Sequence, residues 1–198
     1  MTLVTGLFLL LFCSFPPTLL TADDTLPVLT NIQQVLALGQ VGALTSPHPV
    51  HVTAVVTFTS EGPDQWHIVH DGTGGCVVRA TNAVSLRLKQ RVEVQGQVTP
   101  ANFYPYIGKA ALRIVGDGDF PEPAIVPASQ LNTGAQHAGW VRLKASVLDM
   151  VSGDNKATYL VSSAGTTFNV NISEFVESSP FEHLNATLEF EVELLDIL

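Results

Sequence analysis

Apolar and polar residues alternate with a period of two along much of the chain after residue 49. The first such run places every second residue on one face of a strand, and these residues are Val50, Val52, Ala54, Val56 and Phe58. The run from 91 to 98 repeats the pattern with Val92, Val94, Gly96 and Val98. A sustained period of two is typical of strands with one buried face, so the pattern predicts a mainly β fold.

Two shorter β-rich runs, WHIVH and CVVRA, are joined by the residues DGTGG. Asp-Gly between two such runs favours a hairpin, because glycine accepts the positive φ that a tight turn requires. A phosphate-binding loop would need a helix directly after the glycines, with its amides directed at the anion. The residues that follow are Cys76 and Val77, which continue as a strand, so the motif predicts the tip of a hairpin.

The second half of the chain repeats the first. A shift of 89 residues lays WVRLKASVLDM over HVTAVVTF, so that Val141 takes the position of Val52. The run ATYLVSSAGTTFNVNI then parallels the hairpin, and LNATLEFEVEL parallels LKQRVEVQGQV. Each repeat also begins with a short helical candidate, the first capped by Thr30 or Asn31 and the second spanning 127–131.

Together the repeats predict an all-β chain of two tandem OB-like barrels, each a five-stranded Greek key preceded by a short helix. A β-sandwich, the alternative, usually needs about seven strands per domain. After LEFEVELLDIL the second repeat stops before its fifth strand. Because an unpaired edge normally needs cover, we expect either a longer chain or a partner that donates this strand.

The domain organisation follows from composition. Residues 1–22 are apolar and uncharged and read as an export signal, which predicts a periplasmic or secreted protein. Residues 23–115 form the first OB-like domain with its leading helix, and 127–198 form the second. Between them, 116–126 are rich in Gly, Pro and Asp, as expected of a linker. The apolar start is shorter than a membrane-spanning helix and is interrupted by prolines, so we expect no membrane span.

The formal net charge of -9 is unevenly distributed. From Asp23 to Val115, six acidic residues balance six basic ones, whereas from Gly116 onward twelve acidic residues face three basic ones. A surface of this kind repels polyanions unless Lys and Arg are clustered locally. The charge therefore weighs against nucleic acid as the main partner.

The best ligand-binding candidate is the loop before the fifth strand of the first barrel, since such loops flank the usual OB binding face. Its aromatic residues are Phe103, Tyr104 and Tyr106, and the cations of the same repeat that accompany them are Arg79, Arg91, Lys109 and Arg113. Aromatic rings beside cations suit a sugar, a nucleotide or an acidic small molecule. The structural alternative is that the rings only cover the end of the barrel.

The chain offers no motif for catalysis, a cofactor or a metal ion. Histidines three apart on a strand point to opposite faces, which leaves only a cross-strand set such as His51 with His67 or His70 and Asp71. Cys76 has no helix N-terminus to lower its pKa, so we expect an inert thiol. We therefore predict a protein that is not an enzyme and carries neither metal nor cofactor.

The order of LTNIQQVLAL, VHVTAVVTF, WHIVHDGTGGCVV, LKQRVEVQGQV and ALRIVGDGDFPEP resembles the tandem OB-like extracytoplasmic input region of bacterial sensor histidine kinases. In that family an apolar residue precedes Asp-x-Thr-Gly-Gly, matched here by 71–75, whereas His70 departs from the pattern. The resemblance implies a sensory module that binds a small molecule, a glycan or a protein. The alternative is an exported OB protein that binds single-stranded nucleic acid or oligosaccharide, since the same hairpin occurs in such domains.

Overall fold

A computed structural model describes residues 26–45, 47–60, 65–82, 84–101, 104–133, 137–154, 156–173 and 183–194. The helices are α1 (Ile32–Ala37) and α2 (Gly39–Thr45), with a 3-10 helix at Ala128–Thr133. The strands of the first half are β1 (Pro49–Thr59), β2 (Trp66–His70), β3 (Gly75–Ala80), β4 (Gln90–Thr99) and β5 (Tyr106–Asp117). Those of the second half are β6 (Ala124–Ile125), β7 (Trp140–Gly153), β8 (Lys156–Ser163), β9 (Thr166–Ser173) and β10 (Thr187–Glu193).

Strands β1 to β5 form a closed barrel in the order β1-β2-β3-β5-β4, which β1 completes by pairing with β4. The pairs are antiparallel except β3 with β5, which run parallel. This order is the five-stranded Greek-key barrel of the OB fold. The predicted all-β, OB-like fold class is confirmed.

The alternation along β1 directs its apolar residues into the barrel as predicted, up to Val56. Val52, Ala54 and Val56 are all at most 2% exposed. Beyond Val56 the pairing with β2 shifts by one residue, because a β-bulge inserts Thr57 into the strand. Thr57 is therefore buried and Phe58 is half-buried, outside the core cluster, so the predicted inward position of Phe58 is wrong.

The DGTGG segment forms the tip of the β2–β3 hairpin, as predicted, and it also caps a helix. Gly72 lies at a φ of +87°, in the left-handed region that favours glycine. The Asp71 carboxylate accepts hydrogen bonds from the backbone amides of Thr73 and of Ile32, at 2.8 and 2.7 Å. The Thr73 hydroxyl accepts one from the amide of Gln33. The hairpin thus satisfies amides in the first turn of α1 that the helix itself leaves unpaired.

Helix α1 packs against the first barrel and contributes two residues to its core. Asn31 is its N-cap residue, as predicted, and its side chain accepts a hydrogen bond from the amide of Gln34 at 2.9 Å. Ile32 and Val35 are fully buried and belong to the core of the first barrel. Gly39, at a φ of +58°, begins α2, a second helix that the sequence pattern did not predict.

The second half builds an open sheet in the order β10-β7-β8-β9, with β6 beside the start of β7. Val192 pairs with Val141 in this sheet as Val94 pairs with Val52 in the barrel. The two copies of the sequence repeat therefore share the same pairing between their first and fourth strands. Within the described residues no strand closes the sheet between β9 and β10.

The predicted export signal, residues 1–22, lies outside the described residues. The division into domains at 23–115, 116–126 and 127–198 stays a prediction. A 3-10 helix precedes the second sheet where the sequence predicted a turn or two of helix. No helix in the described part of the chain has the length and apolar character to cross a membrane.

Candidate functional site

Four side chains lie next to one another on the outside of the first barrel, where β1, β2, β3 and β5 meet. Phe58 stacks on Trp66 with ring centroids 4.8 Å apart. Trp66 stands directly opposite Arg79 in the β2–β3 ladder. The Arg79 guanidinium lies 5.1 Å from the centre of the Tyr106 ring, in cation–π geometry. We name these four residues the Trp66–Arg79 platform.

The platform faces outward because of the alternation along β3. Val78 is fully buried in the barrel, whereas the next residue, Arg79, is exposed. The three rings are half-buried, so part of each is open to solvent. A flat apolar surface with one exposed cation is suited to stacking a planar or ring-shaped ligand that carries negative charge.

The other end of the same face, at the tip of the hairpin, is covered by the second half of the chain. His70 Nε2 lies 3.3 Å from Glu193 Oε1, and both side chains are at most 7% exposed. Gly75 packs against the carbonyl oxygen of Ala138 so closely that a Cβ atom would overlap it. The OB ligand face is therefore divided between a contact with the second sheet and the open platform.

The two described aromatic residues of the predicted loop, Tyr104 and Tyr106, lie in different places. Tyr104 stacks on His137 with ring centroids 5.4 Å apart, which places it at the contact with the second half of the chain. Tyr106 belongs to the platform. Phe103 lies outside the described residues. Of the described aromatic residues in the predicted loop, only Tyr106 therefore lies on the open part of the ligand face.

The four predicted ligand-binding cations have different neighbours and lie on different parts of the first barrel. Arg79 lies on the platform, while Arg113 is engaged by the Glu93 carboxylate on the β4–β5 ladder. Hydrogen bonds from His51 and Arg113 hold the pKa of Glu93 below its usual value. Lys109 is exposed on β5 at a φ of +50°. The four cations that sequence grouped together do not share one surface.

Arg91 lies apart from these, beside a cavity of about 300 Å³ between the barrel and the segment after β5. The cavity is lined by Thr53, Ala54, Val55, His70, Asp71, Gly72, Arg91, Asp119 and Pro121. Its ionisable groups carry both signs, and its lining holds no phenyl, phenol or indole ring. The cavity therefore lacks the stacking surface that the platform provides.

The segment after β5 is held against both halves of the molecule. The amide of Gly118 donates to the carbonyl oxygen of Lys89 at 2.7 Å. The Lys89 ammonium lies 5.0 Å from the centre of the Phe120 ring, and Phe120 stacks on Trp140 at 4.8 Å. Trp140 begins β7, so this series of contacts runs from the first barrel to the second sheet.

The histidine and cysteine residues give no metal centre or nucleophile within the described residues. His51 lies 2.6 Å from Glu93, and no group of three or more potential metal ligands occurs there. His67 is 3% exposed with neither ring nitrogen hydrogen-bonded, and burial lowers its pKa. Burial raises the pKa of the Cys76 thiol to about 12.

Sequence reasoning missed Phe58 and Trp66 as site residues. Phe58 was assigned to the core because the alternation of β1 gives no sign of the bulge at Thr57. The sequence does contain a signal for both residues. Only a short connection separates Phe58 from Trp66, and in an antiparallel pair such a connection brings the end of one strand next to the start of the following strand.

No family model and no curated protein matches this chain. Among solved structures, it is similar to a replication protein A heterotrimer bound to single-stranded DNA, at 20% identity and a TM-score of 0.38, over 46% of this chain and 83% of that one. It is also similar to a murine DNA-binding protein bound to double-stranded DNA, at 12% identity and a TM-score of 0.35, over 61% and 72%. A third is the p202 HIN1 domain in complex with a 12-mer duplex, at 12% identity and a TM-score of 0.36, over 73% and 82%.

These matches correct the prediction that weighed against nucleic acid as a partner, because the similar structures include complexes with single-stranded and double-stranded DNA. The prediction relied on the net charge of the whole chain. That charge is an average, and its acidic excess lies after Gly116, away from the balanced first barrel. At these identities the likeness concerns the fold, so the ligand of this chain has to be argued from its own side chains.

Proposed function

We propose that this protein is a binding module that holds a short stretch of single-stranded nucleic acid on the Trp66–Arg79 platform. The observation that carries the proposal is the arrangement of four neighbouring side chains on the outer face of an OB barrel: Phe58 stacks on Trp66, Trp66 stands opposite Arg79 in the ladder, and Arg79 lies over the Tyr106 ring. OB folds bind oligonucleotides and oligosaccharides on this face. Unpaired bases stack on aromatic rings, and each stacked base contributes about 1–3 kcal/mol.

The same geometry favours single strands over duplexes. In a duplex the faces of the bases are stacked on one another, so a flat aromatic surface reaches only the ends. Arg79 is exposed next to the rings and supplies a cation for one adjacent phosphate. Since the second sheet covers the hairpin end of the face, we expect a short site of one or two stacked bases.

The proposal includes three sequence-based predictions that the structure leaves untested. Binding would be the whole activity, without a catalytic step. The protein would be exported, and the resemblance to sensor input regions would place it upstream of a signalling response. The sensory role rests on the resemblance, whereas the binding role rests on the Trp66–Arg79 platform.

The test is fluorescence anisotropy with labelled dodecamers of deoxythymidine and deoxyadenosine, at several salt concentrations. Trp66→Ala should weaken binding by about 1–3 kcal/mol, or roughly five- to 150-fold, if one base stacks there. Arg79→Ala should weaken binding and reduce the slope of log affinity against log salt by about one. Binding that does not depend on Trp66 would overturn the proposed site.

Arg87→Ala is the matched control, because Arg87 is an exposed arginine in the connection between β3 and β4. This variant removes the same charge and should leave the affinity nearly unchanged. An unlabelled neutral oligosaccharide series is the second arm. If sugars compete for Trp66 with no dependence on Arg79 or salt while the dodecamers do not bind, the ligand is an oligosaccharide and the nucleic-acid proposal is wrong.

A further inference from the structure

The outer face of β2 changes from open to covered along its length. Trp66, Ile68 and His70 point to this face, because every second side chain of a strand lies on the same side. Trp66 is half-buried, whereas Ile68 is fully buried and His70 is 7% exposed. Four residues of a strand span about 13 Å. A ligand that extends from the platform along β2 therefore meets the covered end within this distance.

Two short segments of the second half lie against this end of the barrel. They are residues 137–140, at the start of β7, and residues 193–194, at the end of β10, and we name them the cover. The amide of Ala138 donates to the carbonyl oxygen of Leu194 at 2.9 Å, and the amide of Leu194 donates to that of Gly139 at 3.0 Å. Because both hydrogen bonds lie within the cover, its two segments stay joined whether or not they contact the barrel.

The cover meets the barrel through a polar pair that is only partly satisfied. His70 Nε2 lies 3.3 Å from Glu193 Oε1, and both side chains are at most 7% exposed. The second carboxylate oxygen, Oε2, is buried and has no hydrogen-bond partner among the described protein groups. A buried carboxylate oxygen that loses its water without gaining a partner costs free energy. The docked cover is therefore less stable than a fully paired contact would be.

Two further features of the cover also cost free energy. The indole Nε1 of Trp140 is buried and has no hydrogen-bond partner in the described part of the chain. Ala138 has a φ of +53°, in the left-handed region that residues with a Cβ atom seldom adopt. It is 1% exposed, and its carbonyl oxygen packs tightly against Gly75. Backbone strain of this kind concentrates in ligand clamps and switch regions, so the cover has the energetic character of a segment that undocks.

The chemistry of the docked contact indicates what displaces it. Glu193 presents a carboxylate to His70 on the face where the proposed function places nucleic acid. A phosphate carries the same sign of charge and accepts the same N–H donor. We infer that the cover is an autoinhibitory contact, an inference that rests on the proposed function. It limits the site to the platform until a longer single strand displaces it, and a phosphate then replaces the Glu193 carboxylate on His70.

The first test compares a labelled tetramer and dodecamer of deoxythymidine on the full chain by fluorescence anisotropy. Gly75→Ala should undock the cover, because the added Cβ would overlap the carbonyl oxygen of Ala138. This variant should bind the dodecamer about tenfold more tightly, the effect of one added hydrogen bond to a charged group, and the tetramer as the parent does. Gly153→Ala is the matched control, since its Cβ meets no atom within 4 Å. An unchanged ratio of the two affinities in Gly75→Ala would overturn the inference.

The second test observes the cover directly and does not require Gly75→Ala to fold. Trp66→Phe keeps an aromatic ring on the platform and leaves Trp140 as the one tryptophan of the chain. A saturating concentration of the dodecamer should shift the Trp140 emission to longer wavelengths and increase its quenching by acrylamide, because undocking exposes the indole to water. The tetramer at saturation should do neither. A dodecamer that saturates the protein without this shift would overturn the inference.

Failure of the proposed function would give a different result. Binding of both oligonucleotides would then be absent or unaffected by Trp66→Ala, and the inference about the cover would fall with the platform. If Trp66→Ala weakens the binding of both oligonucleotides, but Gly75→Ala leaves their affinity ratio unchanged and the Trp140 emission does not shift, the platform stands. The autoinhibitory role of the cover is then the part that is wrong.

Discussion

The carboxylate of Asp71 accepts a hydrogen bond from the backbone amide of Ile32 at 2.7 Å, although 39 residues separate them in the sequence. This contact joins the tip of the β2–β3 hairpin to the first turn of α1. It gives the Asp-x-Thr-Gly-Gly motif a structural role, because the same side chain also orders the turn through the amide of Thr73.

Asp71→Ala should lower the free energy of unfolding by about 1–2 kcal/mol, the range measured for loss of an N-terminal helix cap. The measurement is urea unfolding followed by Trp fluorescence. Asp71→Asn should lose less stability, because its single amide oxygen can replace one of the two carboxylate oxygens that accept the amides of Ile32 and Thr73. Equal stability of the alanine and asparagine variants would show that the cap contributes nothing.

Gly75→Ala should disrupt the contact between the barrel and the second sheet. The added Cβ would overlap the carbonyl oxygen of Ala138 and the ring of His70, so one of them must move. We expect a lower melting temperature and a larger radius of gyration in small-angle X-ray scattering. Gly153→Ala is the control, since its Cβ would meet no atom within 4 Å. A Gly75→Ala variant as compact and stable as the parent would contradict the described contact.

His67 should make stability depend on pH. Burial lowers its pKa in the folded state below the reference value of 6.5, so the unfolded chain binds the proton more tightly. Stability should therefore fall as the pH is lowered through 6.5 and should stop falling below the folded-state pKa. His67→Leu should flatten this part of the pH profile of the unfolding free energy. A profile unchanged by His67→Leu would refute the assignment.

Cys76 should react slowly with thiol reagents in the native protein. Its side chain is 1% exposed and its pKa is raised to about 12, so little thiolate is present at neutral pH. With Cys13 replaced by serine, an Ellman assay should show slow labelling in buffer and rapid labelling of one thiol in denaturant. Rapid labelling in buffer would mean that the barrel opens at this strand.

The sequence predicted the features that depend on neighbours in the chain. The alternation from Val50 to Val56, the Asp71–Gly72 turn and the Asn31 cap each follow from local stereochemistry. The bulge at Thr57 does not, because it depends on how β1 curves to meet β2. The same limit explains why Tyr104 was assigned to a ligand site, since its contact with His137 joins residues of different repeats.

The equal registers of the two repeats have a consequence for refolding. The first strand of each repeat, β1 or β7, can pair with the fourth strand of either repeat, β4 or β10, because the two fourth strands have similar patterns. During refolding, pairing of β1 with β10 therefore competes with the native pairing of β1 with β4. Val94 follows Val52 after 42 residues, whereas Val192 follows it after 140. The shorter connection favours the native pair by about 1 kcal/mol of loop-closure entropy. Chain connectivity therefore biases the first half toward its own strands, but it gives the second half no such bias, because Val141 is 47 residues from Val94 and 51 residues from Val192.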